Sequence, residues 1–125
     1  MSGLFQKFIL LAVLAAASCT SHSVPIPPPS PESVVFSLDL DAGEARFQYD
    51  AAPAFAGATV YIFNRQAGEG IITTAEADGS VTETAPFPAM VLDEVIVTFE
   101  TDGQLSSTCV RMQDGRSSSA QECNP

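Results

Sequence analysis

From Val34 onward the chain is built of short alternating runs, and this pattern constrains its fold more than any other feature. The clearest run, EVIVTFE at 94–100, puts Val95, Val97 and Phe99 on one side and Ile96 and Thr98 on the other. That is the period of two required by a strand with distinct faces. EARFQYD at 44–50 alternates as well, with Ala45, Phe47 and Tyr49 opposed to Arg46, Gln48 and Asp50. VVFSLDL at 34–40, GIITTAEA at 70–77, VTETAPF at 81–87 and LSSTCVRM at 105–112 read as further strands, and ATVYIFN at 58–64 is apolar on both faces, as a central strand is. Asp-Gly turn signals punctuate the runs: ADGS at 77–80 predicts a hairpin, and TDGQ at 101–104 a second one. No stretch in this region holds a helical apolar period beyond a turn or two. The pattern predicts an all-β fold, a single small antiparallel β-sandwich of about seven strands.

The first 33 residues have a different character. Phe8–Ala17 is an uninterrupted apolar run preceded by Lys7, the only charge before Glu32. At about ten residues it is too short to span a bilayer and has the length of a secretory signal core. From Thr20 to Ser33 the chain holds five prolines and almost no charge. Proline removes N–H donors and favours extended backbone, so this segment is expected to be a polyproline-like spacer. At roughly 3.1 Å per residue it would reach about 40 Å. The expected organisation is a signal at 1–18, a Pro-rich linker at 19–33 and one domain at 34–125.

Ala16-Ala17-Ser18-Cys19, directly after the signal core, resembles the lipobox of bacterial lipoproteins. The usual leucine three places before the cysteine is replaced here by Ala16. The resemblance implies cleavage before Cys19 and acylation at that residue. Each buried methylene contributes about 0.8 kcal/mol, so the two or three acyl chains of a lipoprotein make attachment effectively permanent. Thr20, rather than aspartate, follows the cysteine, which by the same resemblance implies the outer membrane of a Gram-negative envelope. The alternative is ordinary cleavage, leaving a soluble secreted protein. The chain has three cysteines. With Cys19 lipidated, Cys109 and Cys123 are left as one disulfide pair in an oxidising compartment.

The segment from Ala58 to Thr108 resembles the immunoglobulin-like modules of bacterial envelope and surface proteins. Val60, Ile62 and Asn64 match their x-V-x-V-x-N strand, and Asp78-Gly79-Ser80 matches their hairpin. Asp93-Glu94 precedes the V-x-V strand of Val95 and Val97, and Asp102-Gly103 with Ser106 matches the closing turn. The glycine usual at 93–94 is absent. A transthyretin-like sandwich shares this grammar. The absence of tryptophan, with both remaining cysteines near the end of the chain, separates it from antibody domains.

The composition excludes several kinds of chemistry. The net charge is −10, and Lys7 leaves with the signal. So acidic a chain is unsuited to nucleic acid, whose binding rests on Lys and Arg meeting phosphates. The single histidine, His22, lies in the linker, so the domain offers neither a nucleophile–base pair nor a zinc set. DGRSSSAQ at 114–121 reads as a solvated loop. Asp39, Asp41 and Glu44 in DLDAGE are weak calcium candidates, because hard oxygens suit that ion, and an ordinary polar turn explains them as well. Phe36, Phe47, Phe63 and Phe99 are expected in the core. Phe55, Phe87, Met90 and Leu92 either cover a sheet end or form an exposed patch.

The expectation is a non-enzymatic, lipid-anchored envelope protein without a cofactor. It would display a structural or protein-binding module, with a membrane as one partner, possible protein partners in the envelope and no nucleic acid. The alternative function is a small-ligand or calcium module at the loop end.

Overall fold

The computed structural model describes residues 25–123; Cys19 and the signal-like segment lie outside them. Eight strands form: β1 (Val34–Asp39), β2 (Glu44–Tyr49), β3 (Thr59–Asn64), β4 (Glu69–Thr74), β5 (Phe87–Pro88), β6 (Glu94–Thr101), β7 (Gln104–Arg111) and β8 (Gly115–Arg116). Two antiparallel sheets, ordered β5-β2-β1-β8 and β4-β3-β6-β7, pack face to face. Hairpins join β1 to β2, β3 to β4 and β6 to β7, while every other connection changes sheet. With β1, β2 and β5 as strands A, B and E, and β4, β3, β6 and β7 as C′, C, F and G, the strand order is that of an immunoglobulin-type sandwich lacking strand D. β8 is an addition outside β1.

The alternation fills the space between the sheets. Val34, Phe36, Ala45, Phe47 and Tyr49 face inward from one sheet, and Val60, Ile62, Val95, Val97, Phe99 and Val110 from the other; all are buried. Phe99 stacks on Phe55 with ring centroids 4.1 Å apart and meets Tyr49 at 4.9 Å. The Tyr49 hydroxyl is not stranded, because it accepts the Ser30 N–H at 2.8 Å.

Four expectations are corrected. Phe63 is not a core residue: it lies on the outer face of β3 and is 44% exposed. In β3 both faces are apolar, and the inward register belongs to Val60, Ile62 and Asn64. The Asp78-Gly79 turn forms, with Asp78 Oδ1 accepting the Ser80 N–H and hydroxyl, but no hairpin follows it. Val81 bridges to Tyr49 in the opposite sheet, and Pro86 and Pro88 limit the next strand to two residues. The DGRSSSAQ stretch is not a plain solvated loop. Its Gly115–Arg116 pairs with β1, Ser117 is buried, and the Ser117 N–H donates to the Val34 carbonyl at 2.8 Å. Finally, the described part of the Pro-rich segment packs on the domain. The Ile26 N–H donates to Gln104 Oε1, Ser106 Oγ donates to the Pro27 carbonyl, and Pro29 and Pro31 are buried. The folded unit therefore begins before Val34.

These contacts fix the end of the sandwich at which the chain enters. Asp50 donates its N–H to the Ser33 carbonyl and Ala52 to the Asp78 carbonyl, so the β2–β3 and β4–β5 loops sit with the incoming chain, as does the β6–β7 turn beside Gln104. The β1–β2, β3–β4 and β5–β6 loops lie at the opposite, distal end.

Candidate functional site

The distal end is organised by one buried polar residue. Asn64 is fully buried, and its Nδ2 donates to the Pro88 carbonyl at 3.0 Å and to Asp93 Oδ2 at 2.8 Å. Its Oδ1 accepts the N–H groups of Gln66 and Ala67, closing the β3–β4 turn. Asp93 Oδ2 also accepts the Met90 N–H, at 2.9 Å. A buried amide satisfied on both sides in this way specifies one arrangement of two loops. Asn64 and Asp93, read in the sequence as strand-end and turn positions, thus shape the distal surface together.

That end exposes several large apolar side chains. Leu40 is 69% exposed, Met90 68% and Leu92 64%, and Val91 is exposed beside them. The Ala89 N–H donates to the Gly43 carbonyl at 2.9 Å, which holds the two loops against each other. Leu92 has φ 71°, a left-handed conformation that costs a bulky residue about 1–3 kcal/mol. It is clamped there because its N–H donates to the Met112 carbonyl while the Met112 N–H donates to the Asp93 carbonyl at 2.7 Å. Met112 is fully buried, so a core residue holds a strained, solvent-facing leucine in place. Of the four residues whose location the sequence left open, Phe55 and Phe87 are buried and Met90 and Leu92 form the exposed surface. Leu40, the last residue of the expected 34–40 strand, lies just beyond β1 and is exposed.

Cys109 and Cys123 are joined in a disulfide with Cα atoms 5.3 Å apart. The bond ends a strap. After β8 the tail passes from the β1 edge of one sheet to the β7 edge of the other, where the Cys123 N–H donates to the Cys109 carbonyl and Glu122 bridges Val110. Arg116 secures the start of the strap, donating to the Glu32 carbonyl at 2.8 Å and to Asp50 Oδ2 at 2.6 Å. That bond and the Asp50 charge raise the Arg116 pKa.

The calcium candidates behave as a turn. Asp39 Oδ1 accepts the N–H groups of Asp41 and Ala42, at 3.1 and 3.2 Å. Glu44 lies opposite Asp39 in the hairpin register. Both line a shallow cleft of about 130 Å³, shared with Ser37, Ala45, Arg46 and Pro86 but not with Asp41. The Arg46 guanidinium, which reaches the Thr84 carbonyl at 3.3 Å, already brings positive charge there. Among the described residues the metal-type donors that converge are Glu94, Cys109 and Cys123. Both sulfurs of that group are consumed by the disulfide.

The outer face of the β4-β3 half-sheet carries a second apolar area. Ile72 is 68% exposed opposite Tyr61, and Phe63 stands opposite Gly70. The neighbouring Glu100 carboxylate raises the pKa of the Tyr61 phenol. No protein-family model, no curated protein and no solved structure matches this chain.

Proposed function

We propose that this is a non-enzymatic, lipid-anchored protein of the bacterial cell envelope, held in the outer membrane through Cys19. Its sandwich is a protein-binding module. The observation that carries the binding reading is the distal end, where Leu40, Met90, Val91 and a strained Leu92 are exposed opposite the point of chain entry. Strain maintained by a buried clamp, on an apolar side chain left in water, is characteristic of a recognition surface. The anchor reading is supported by the signal-like run before Cys19 and by the Cys109–Cys123 bond, which leaves Cys19 outside the disulfide.

Two measurements test the halves separately. Cys19→Ala should abolish acyl labelling and release or stall the precursor, and equal membrane retention of variant and parent in detergent partitioning counts against the anchor. A photo-crosslinker at Met90 in intact cells should trap a discrete adduct that Leu92→Asp removes. A crosslinker at Ala54, on the tether side, should not trap the same adduct. Identical patterns from the two positions would refute a distal recognition surface.

A further inference from the structure

The four sheet edges are treated very differently. β5 and β8 are only two residues long, and β5 contains Pro88. The β7 edge is flanked at one end by Ile26 and Pro27, through Gln104 and Ser106, and met at the other by Glu122 and Cys123. Among the described residues, none pairs with the open side of β4. It is a six-residue edge strand, Glu69–Thr74, with no proline and no charge after its first residue. Bare edges are templates for another strand, and proteins usually blunt them with proline, charge or a cover.

The backbone of β4 defines what is on offer. The Ala75 N–H donates to the Ala58 carbonyl, which makes Ala58 and Ala75 a hydrogen-bonded pair. Alternation along the β3–β4 register then directs the N–H and C=O groups of Glu69, Ile71 and Thr73 toward β3. Those of Gly70, Ile72 and Thr74 point outward, without a partner among the described residues. The side chains of Ile72 and Thr74 lie on the outer face beside Tyr61 and Thr59, and Gly70 stands opposite Phe63. A hollow of about 260 Å³ opens there, lined by Tyr61, Phe63, Gly70 and Ile72. Gly70 on its floor lets the β3 and β4 backbones approach closely. A Cβ there would lie 2.8 Å from the Phe63 Cα and 2.9 Å from the Ile62 carbonyl carbon, so the backbone itself requires glycine.

We infer that β4 is a strand-addition site for an extended segment of another protein, one with alternating apolar residues and Lys or Arg at its ends. An antiparallel strand would complete the outward hydrogen bonds, as in other β-augmentation complexes. It would place a large apolar side chain opposite Gly70, in the hollow beside Phe63. The choice of occupant follows from charge. Glu69 and Glu76 bracket the edge in a strongly acidic chain. A second copy of the chain would bring the same acidic edge and the same net charge of −10 against it. Like net charge opposes that self-pairing, whereas basic ends on a partner segment meet both carboxylates. This inference shares the premise that the module binds protein, but it uses a surface separate from the distal loops.

The test uses the full chain in detergent and a labelled, capped peptide Lys-Lys-Val-Thr-Val-Thr-Phe-Lys-Lys, read by fluorescence anisotropy. Hydrogen exchange then locates the bound peptide. Binding should be saturable and should slow exchange at 70–74. It should weaken about tenfold or more when proline replaces the central valine or glutamates replace the lysines. Thr74→Pro removes an outward N–H and no ladder bond, so it should cost a similar factor with the melting temperature retained. Ile72→Lys, a surface change, provides the same reading should Thr74→Pro disturb the fold. The inference is overturned by absence of binding at millimolar peptide, by protection outside β4, or by concentration-dependent dimerisation through this edge. Loss of peptide binding with the Met90 adduct intact would remove strand addition alone and leave the distal surface standing.

Discussion

The disulfide offers the sharpest test of how this small domain is held together. Cys109 and Cys123 are separated by 14 positions. The chain-entropy model gives a closed loop of about 15 residues roughly 3 kcal/mol of stabilisation, acting on the unfolded chain. A domain of this size typically has about 5–15 kcal/mol in total, so the bond is a large share. Cys109→Ser combined with Cys123→Ser should therefore lower the melting temperature by about 12–24 °C, at 4–8 °C per kcal/mol for a domain near 100 residues. The fold should survive, because neither sulfur is in the core: Cys109 points outward from β7 while Val110 and Met112 face in. Beyond the β8–β1 pairing and the Ser117 N–H bond to Val34, what remains to hold the strap is weak. The Arg116–Asp50 pair is half-exposed on both sides, and exposed pairs contribute about 0–1 kcal/mol. The segment after Arg116 should then fray, and trypsin should cut at Arg116 in the variant before it cuts the parent there. Thermal circular dichroism and timed proteolysis read both effects. An unchanged melting temperature, or a variant that loses its β signal entirely at 25 °C, would refute the assignment of the bond to strap closure.

Further outcomes follow from the packing. Phe99→Ala should cost about 3–5 kcal/mol by opening a cavity against Phe55 and Tyr49, while Phe63→Ser on the outer face should cost about 0.5 kcal/mol or less; chemical denaturation distinguishes them. Gly79→Ala should destabilise by more than about 2 kcal/mol, since φ is +81° and the new Cβ would collide with the Ala52 carbonyl. The Ser80 hydroxyl, followed by its N–H, lowers the Asp78 pKa below the ordinary 3.8. The stability this contributes is present above that value and lost as pH falls through the lowered one. Asp78→Asn should accordingly flatten the fall in melting temperature measured on acidification below about pH 4. Millimolar calcium or a chelator should leave the melting temperature unchanged, because Asp39 already serves its own turn; an upward shift lost in Asp41→Ala would reverse this.

The features legible in the residues alone are local. β2 and β6 were legible because alternation over six or more residues leaves only one face to bury, and Ala45, Phe47, Val95, Val97 and Phe99 all lie inside. The Asp102-Gly103 turn was legible because Asp and Gly tolerate the positive φ values of 50° and 78° found there. The Cys109–Cys123 pair was expected from the count of three cysteines once the lipobox resemblance set Cys19 aside. The features that emerged only on folding are non-local. β3 is apolar on both faces, so periodicity could not say that Asn64 would be buried and Phe63 left outside; that depended on Pro88 and Asp93 arriving from another loop to satisfy the amide. β8 is two residues long and has no period to read, and it exists only because the β1 edge lies beside it. The Asp78 turn was visible, but its exit toward Tyr49 rather than back along β4 was set by a partner some 30 positions earlier in the chain. The strain at Leu92 and the open edge of β4 belong to the same class. Each is a property of which segments meet, and hydrogen-bond partners distant in sequence leave no local trace in the residues they select.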